Sequence, residues 1–258
     1  KIPWREATLK SLLSHLVYYS QGSIDLAHET SRRAVTIAEE SGDIYSKAFS
    51  CSCHGISCFG KGSFQEAVEL LSIGRELSER LNHDWWHPWS NHFLGEVYFE
   101  IGQYQKARDH YYEAASLFDR HGTWPSNNIV SKIGLARTQI LHDREDVNLE
   151  ALYGYANVAK AKLYQGWIRR YISEILLSMD EGRISEAEEW IKEAITADNR
   201  NGTLFELGRD YSVYATILTR KREESQAQES LHSAIEIFKE CGADGWVKKC
   251  EGELASLS

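Results

Sequence analysis

HPWSNHFLGEVYFEIGQYQKARDHYYEAASLFDRHG, residues 87–122, decides the fold. Within it Asn91, Leu94, Gly95 and Tyr98 are spaced three, one and three apart. Beyond a Gly102-Gln103 turn, Ala107, Tyr111 and Ala114 follow at four and three. Both spacings put their residues on one face of a helix. Gly95, Ala107 and Ala114 lack bulk where two antiparallel helices cross, so the backbones approach closely while Leu94, Tyr98 and Tyr111 fill the space around them.

The same arrangement recurs at a stride of forty residues. Gly102 has counterparts at Gly22, Gly62 and Gly182, with His142 and Arg222 at the two remaining places. Ala107 corresponds to Ala27, Ala67, Val147, Ala187 and Ala227, and Ala114 to Ala34, Gly74, Gly154, Ala194 and Ala234. Gly42, Gly122, Gly202 and Gly242 recur in the loops that close the units, where a left-handed residue ends a helix. The run Leu94-Gly95-x2-Tyr98, then Ala107-x3-Tyr111 and Ala114, resembles the tetratricopeptide repeat, with Asn91 where a Trp usually stands. That resemblance implies an all-α fold, a right-handed superhelical solenoid of about six hairpins. Their expected spans are about 6–41, 44–81, 84–121, 124–163, 164–201 and 204–241, with a capping helix at 243–257. One array is expected to occupy all of 1–258. The fourth unit is irregular, because HDREDVNLEALYGYA runs into AKAKLYQGW without a clear stop, and a longer loop or a change of pitch is expected there.

Composition narrows the function. A formal net charge of −9 argues against nucleic acid, whose phosphates are bound mainly by Lys and Arg. There is neither a run of eighteen apolar residues nor a charged-then-apolar leader, so no membrane span or secretion signal is expected and the location is read as cytoplasmic. Five cysteines, three of them between positions 51 and 58, do not form a disulfide framework, and reduced thiols are expected. The sequence opens on Lys1 with a single Met, Met179, and reads as a piece of a longer polypeptide. Leu9, Leu12 and Leu16 make the first hairpin richer in leucine than a terminal repeat should be, as though something packed against it upstream.

Three segments invite chemical readings that the repeat already explains. Gly55 to Lys61 reads G-x4-G-K, but Gly62 stands where a phosphate loop needs Ser or Thr, and no strand precedes it. Cys51, His54 and Cys58 share one helix face and could be soft metal ligands. A shift of forty drops them onto Asn91, Leu94 and Tyr98, so packing is the stronger reading. His83 and His87 have the spacing of a helical metal pair, yet Pro88 marks the first turn of the next helix and leaves His83 in the loop. No cofactor or metal is expected, and no paired carboxylates or activated nucleophile suggest an enzyme.

The forty-residue units are similar to the repeat arrays of large bacterial signalling ATPases. ISEAEEWIKEAITADNRNGT, LGRDYSVYA and SAIEIFKECGADGWVKKCEGELA resemble the C-terminal repeat regions of bacterial proteins carrying class III nucleotide cyclase and AAA-type ATPase domains. The resemblance implies a regulatory, protein-binding segment. If Asn91, Leu94, Gly95 and Tyr98 face the partner helix, then Trp89, His92, Glu96 and Phe99 face the inner groove, as do Phe49 and Phe59 one unit earlier. Lys132, Arg169 with Met179, and Arg209 occupy that face in the later units. The expected function is capture of a protein or peptide segment, apolar first and acidic at its end, by Phe49, Phe59, Trp89 and Phe99 and then Lys132, Arg169 and Arg209. Other domains of the same polypeptide are equally admissible partners. Sensing of a small molecule, or self-association of an otherwise monomeric chain into a weak homodimer through the aromatic third unit, are the alternatives.

Overall fold

A computed structural model of the chain describes residues 2–143 and 147–257, apart from the side chains at 142, 143 and 181. Among these residues all regular structure is helical. The chain divides into two compact units, Lys1–Leu135 and Ala136–Ser258.

The first unit holds α1 (Pro3–Leu12), a π-helical continuation Leu13–Tyr19, α2 (Ile24–Ser41), α3 (Ile44–Lys61), α4 (Phe64–Arg80), α5 (Trp86–Glu100), α6 (Tyr104–His121) and α7 (Pro125–Thr138) up to Leu135. Helix boundaries follow local chemistry. Asp43 caps α3 by accepting a hydrogen bond from the Ser46 amide at 2.7 Å. His83 lies in the loop before α5, and its Nδ1 accepts from the amides of Trp85 and Trp86, both at 3.2 Å. The imidazole therefore acts as the helix cap, while His87 is buried inside α5. Gly22, Gly42, Gly62, Gly102 and Gly122 all have φ between 65° and 80°, as the turn rows require.

The second unit takes the remainder of α7, a π-helical turn Gln139–Asp143, α8 (Leu149–Val158), α9 (Gln165–Met179), α10 (Ile184–Asn201), α11 (Leu204–Arg220), α12 (Glu224–Cys241) and α13 (Asp244–Ser256). Gly202 and Gly242 keep the left-handed turn, and Arg222 adopts φ 64° where the stride puts a turn glycine. Gly182 departs from that row. It sits in a 3-10 turn, Glu181–Arg183, that leads directly into α10.

In both units the crossing rows are buried, with Ala27, Ala67, Ala107, Ala187 and Ala227 fully enclosed, as are Ala34, Ala114, Ala194 and Ala234. The irregular unit breaks the rule. Val147 precedes α8 rather than lying in it, Gly154 is exposed, and Leu152 and Ala156 bury the short helix instead. α8 stops at Ala159, whose backbone is extended, so the missing stop signal is supplied by conformation, not by glycine. The side chain of His142 and residues 144–146 lie outside the described residues.

Two glycines of one sequence row thus have opposite environments. A Cβ on Gly74 would lie 2.3 Å from Ser52 Oγ and 2.8 Å from its backbone nitrogen, whereas one on Gly154 would meet nothing within 4 Å. Gly74→Ala is expected to cost about 1–3 kcal/mol through overpacking. Gly154→Ala is expected to add about 0.5–1 kcal/mol, because alanine is the better helix former on an open face. Urea unfolding of the two variants checks both signs.

Buried hydrogen bonds tie the first helices of successive hairpins together. In the first unit Ser11 meets Ser50 at 3.0 Å, Ser52 meets Ser90 at 2.8 Å, and His92 Nδ1 meets Ser131 at 3.1 Å. In the second unit Arg170 of α9 donates to Asp210 of α11 at 2.9 Å.

Candidate partner-binding site

The aromatic residues expected to line a groove in the first unit are instead its core. The π-helical turn at Leu13–Tyr19 carries His15 and Tyr19 onto α5, two hairpins further along. Trp89 Nε1 donates to His15 Nε2 at 3.0 Å. The His15 ring packs 5.6 Å from Trp86 and 6.2 Å from Phe93, and Tyr19 lies 6.1 Å from Phe93. Phe49 closes on Trp86 at 5.0 Å and Phe59 on Phe93 at 5.9 Å, both edge-on. Phe49, Phe59 and Trp89 are buried, so a partner could reach them only by opening this cluster. The physical reason is size. Rings on the segment Leu13–Tyr19, α3 and α5 span the gap that smaller residues would leave open.

His92 and Glu96 are fully buried for a related reason. His92 stacks on Trp89 at 4.6 Å, and Glu96 accepts a hydrogen bond from the hydroxyl of Tyr111. The Tyr111 ring fills the space left by two glycines, since a Cβ on Gly95 or Gly134 would come within 2.8 or 2.7 Å of it. Phe99 is half-buried and packs edge-on against Tyr104 at 5.3 Å. Lys132 is half-buried and bridges to Asp119 at 2.8 Å. That hydrogen bond holds the Asp119 carboxyl below the usual range.

In the second unit Arg209 is also buried, 3.5 Å from Glu206 and with its guanidinium 5.1 Å from the centre of the Trp246 ring. It belongs to a charged cluster around Arg170, which donates to Glu206 at 2.6 Å and to Asp210 at 2.9 Å. Asp198 joins this cluster and accepts from Thr203 Oγ1 at 2.7 Å. Burial pushes the Asp198 carboxyl up to about 6 and also raises the Asp210 carboxyl well above the usual carboxylate range. Arg169 lines an open hollow of about 320 Å³ with Lys192, Glu193 and Arg200. Its Nε lies 3.2 Å from Glu193, and its Nη1 donates to the Gln165 carbonyl at 2.8 Å.

Another opening in this unit is one that the residue pattern pointed to only through Met179. A cavity of about 630 Å³ is lined by Ile140, Leu141, Leu177, Met179, Asp180 and Arg220, together with Ser178. Three first helices of successive hairpins deliver these residues at their C-terminal ends. Arg220 is fixed across the mouth because its Nη1 donates to the Leu177 carbonyl at 2.6 Å. Positions 59, 99, 139, 179 and 219 form one row at the stride of forty, aromatic at Phe59 and Phe99 but Gln139, Met179 and Thr219 afterwards. That change from ring to slender side chain was the available signal for a cavity. Ile140, Leu141 and Arg220 lie one or two positions outside the row.

Among the described residues, one set of His, Cys and Glu side chains is close enough to share a metal, namely His28, His54, Cys58 and Glu66. Cys51 is not part of it. All five thiols are free and buried. No helix among the described residues is long and apolar enough to cross a membrane.

A family model for the tetratricopeptide repeat matches residues 47–120. Among solved structures the chain is similar to the apo form of RapI, at 17% identity and a TM-score of 0.70, over 95% of this chain and 85% of that one. It is also similar to a Rap protein complexed with Competence and Sporulation Factor, at 14% identity and 0.59, over 98% of this chain and 64% of that one. A third likeness is to a signal transduction ATPase with numerous domains and a tetratricopeptide repeat sensor from Pyrococcus horikoshii, at 14% identity and 0.53, where the chain spans 35% of that protein. Among curated protein sequences none matches. These likenesses show an all-helical fold built of tetratricopeptide-like hairpins.

Proposed function

We propose that the chain is an interaction module that takes up a segment of a partner protein in the cavity at Leu141, Met179 and Arg220. The observation that carries this reading is the cavity's mixed lining. Its exposed surface is mainly polar, with Ser178, Asp180 and Arg220 beside Ile140, Leu141, Leu177 and Met179, and the Arg220 guanidinium is anchored on the Leu177 carbonyl. Arg220 suits a carboxylate, and the exposed Leu141 beside it suits one apolar side chain of the same segment. A Rap protein of the same fold holds the competence and sporulation factor, which is consistent with a binding role. The resemblance of the later repeats to cyclase- and ATPase-bearing bacterial proteins supports a regulatory segment of a larger signalling protein. Five buried thiols without a disulfide fit a reducing, cytoplasmic setting.

The test uses the immobilised chain as bait against the proteins of its source cell. Met179→Asp and Arg220→Glu change half-buried and exposed side chains and leave the helix core alone. Each is expected to lower retention of the bound partner by about tenfold or more, as loss of an anchor residue does. Arg33→Glu, on the exposed face of α2, is the control and should retain the partner fully. Equal capture by all four proteins would remove the cavity from the binding surface.

A further inference from the structure

We propose that His28, His54, Cys58 and Glu66 form a binding site for a tetrahedral divalent metal ion of the zinc class, which pins α2, α3 and α4 together. One ligand atom from each of the four residues lies within 4.8 Å of every other. In a bound zinc site, sulfur and nitrogen ligands at about 2.3 and 2.0–2.1 Å from the ion stand roughly 3.5 Å apart. The His28 and His54 rings are 4.8 Å apart between centres. Contraction by less than about an ångström and a half at the widest pair, without movement of any helix axis, would complete the shell.

The donor set also fits by chemistry. His54 and Cys58 sit four residues apart on α3, which places both on one face of that helix. His28 comes from α2 on one side and Glu66 from the first turn of α4 on the other. Two imidazoles, a thiolate and a carboxylate make a tetrahedral N/S/O shell, and the two anionic ligands balance a dipositive ion, so that the buried site carries no net charge. His54 and Cys58 are buried, His28 is half-buried and Glu66 is exposed, which leaves an entry path from solvent. The hydroxyls of Ser31 and Ser57 lie 3.0 and 3.3 Å from His54 Nδ1, which orients the ring and leaves Nε2 as the nitrogen for the ion.

Titration of the intact chain with Co2+ and then Zn2+ tests the site. Wild type is expected to bind a single tight equivalent of cobalt, with the intense visible bands of tetrahedral Co(II) and a near-ultraviolet thiolate-to-cobalt band. Zinc should displace it and raise the thermal midpoint, because an ion that binds only the folded chain stabilises it. Cys58→Ser should abolish the thiolate band. His28→Gln and Glu66→Gln alter side chains outside the tight core, so they should fold with an unchanged circular dichroism spectrum. Each should weaken zinc binding by about tenfold or more. His232→Gln, at an exposed position on α12, should bind as wild type does. An octahedral cobalt spectrum without the thiolate band, or wild-type affinity in both His28→Gln and Glu66→Gln, would overturn the assignment.

Discussion

Replacing Arg170 with methionine is expected to lower the unfolding free energy by about 3–5 kcal/mol, the cost of stranding buried charges without their partner. The guanidinium is 1% exposed and holds Glu206 at 2.6 Å and Asp210 at 2.9 Å, both themselves buried. Removal leaves the carboxyl groups of Glu206, Asp210 and Asp198 without the cation they share. Arg209 remains, but at 3.5 Å from Glu206 and turned towards Trp246 it cannot take over both acceptors. Adding Glu206→Gln and Asp210→Asn to the methionine variant should recover part of the loss, because neutral amides are cheaper to bury than unpaired carboxylates. Urea unfolding at neutral pH measures both effects. A loss below about 1 kcal/mol for the single variant, the range of an exposed pair, would mean that water reaches this cluster.

Trp89→Ala is expected to be of similar size, about 3–5 kcal/mol, since a fully enclosed indole leaves both a transfer loss and a void. Trp89 is 1% exposed, stacks on His92 and donates to His15. Its removal also takes away the hydrogen-bond partner of a buried imidazole. The variant separates two descriptions of the first unit. A groove residue would lower partner capture and leave stability alone, whereas a core residue lowers stability first. Trp89→Phe keeps most of the volume and should fall between alanine and wild type, so the size of the step reports packing rather than the loss of one hydrogen bond.

The repeat was legible because its determinants are local. A left-handed turn needs glycine, or a residue forced into the same conformation as Arg222 is, and a close helix crossing needs Ala or Gly. Both requirements leave their mark at every stride, and the structure follows them from Gly22 to Gly242 except around α8 and Gly182. What faces the inside of the array was not legible, because it depends on distances between helices two hairpins apart. Phe49, Phe59 and Trp89 have the same helical phase whether the space before them is open or filled. The filling comes from His15 and Tyr19, turned inward by a π-helical segment that leaves no simple periodic trace. The metal-ligand set was half legible. His54 and Cys58 share a helix face with Cys51, which reads as packing, whereas His28 and Glu66 join them from flanking helices next to the crossing residues Ala27 and Ala67.

The serine contacts between first helices bear on how such a chain can change in length. Ser11 with Ser50 and Ser52 with Ser90 join positions 39 and 38 residues apart, in the dark between hairpins where no water can substitute. Duplicating or deleting a whole copy of the motif re-creates each handshake with a new neighbour. Slipping in a few residues within one of these helices takes the partner from Ser50 or Ser90, at about 1–3 kcal/mol each, while Ser11 and Ser52 keep their bonds to the Ala7 and Ala48 carbonyls. Genetic variation in this array is thereby channelled into steps of one complete hairpin.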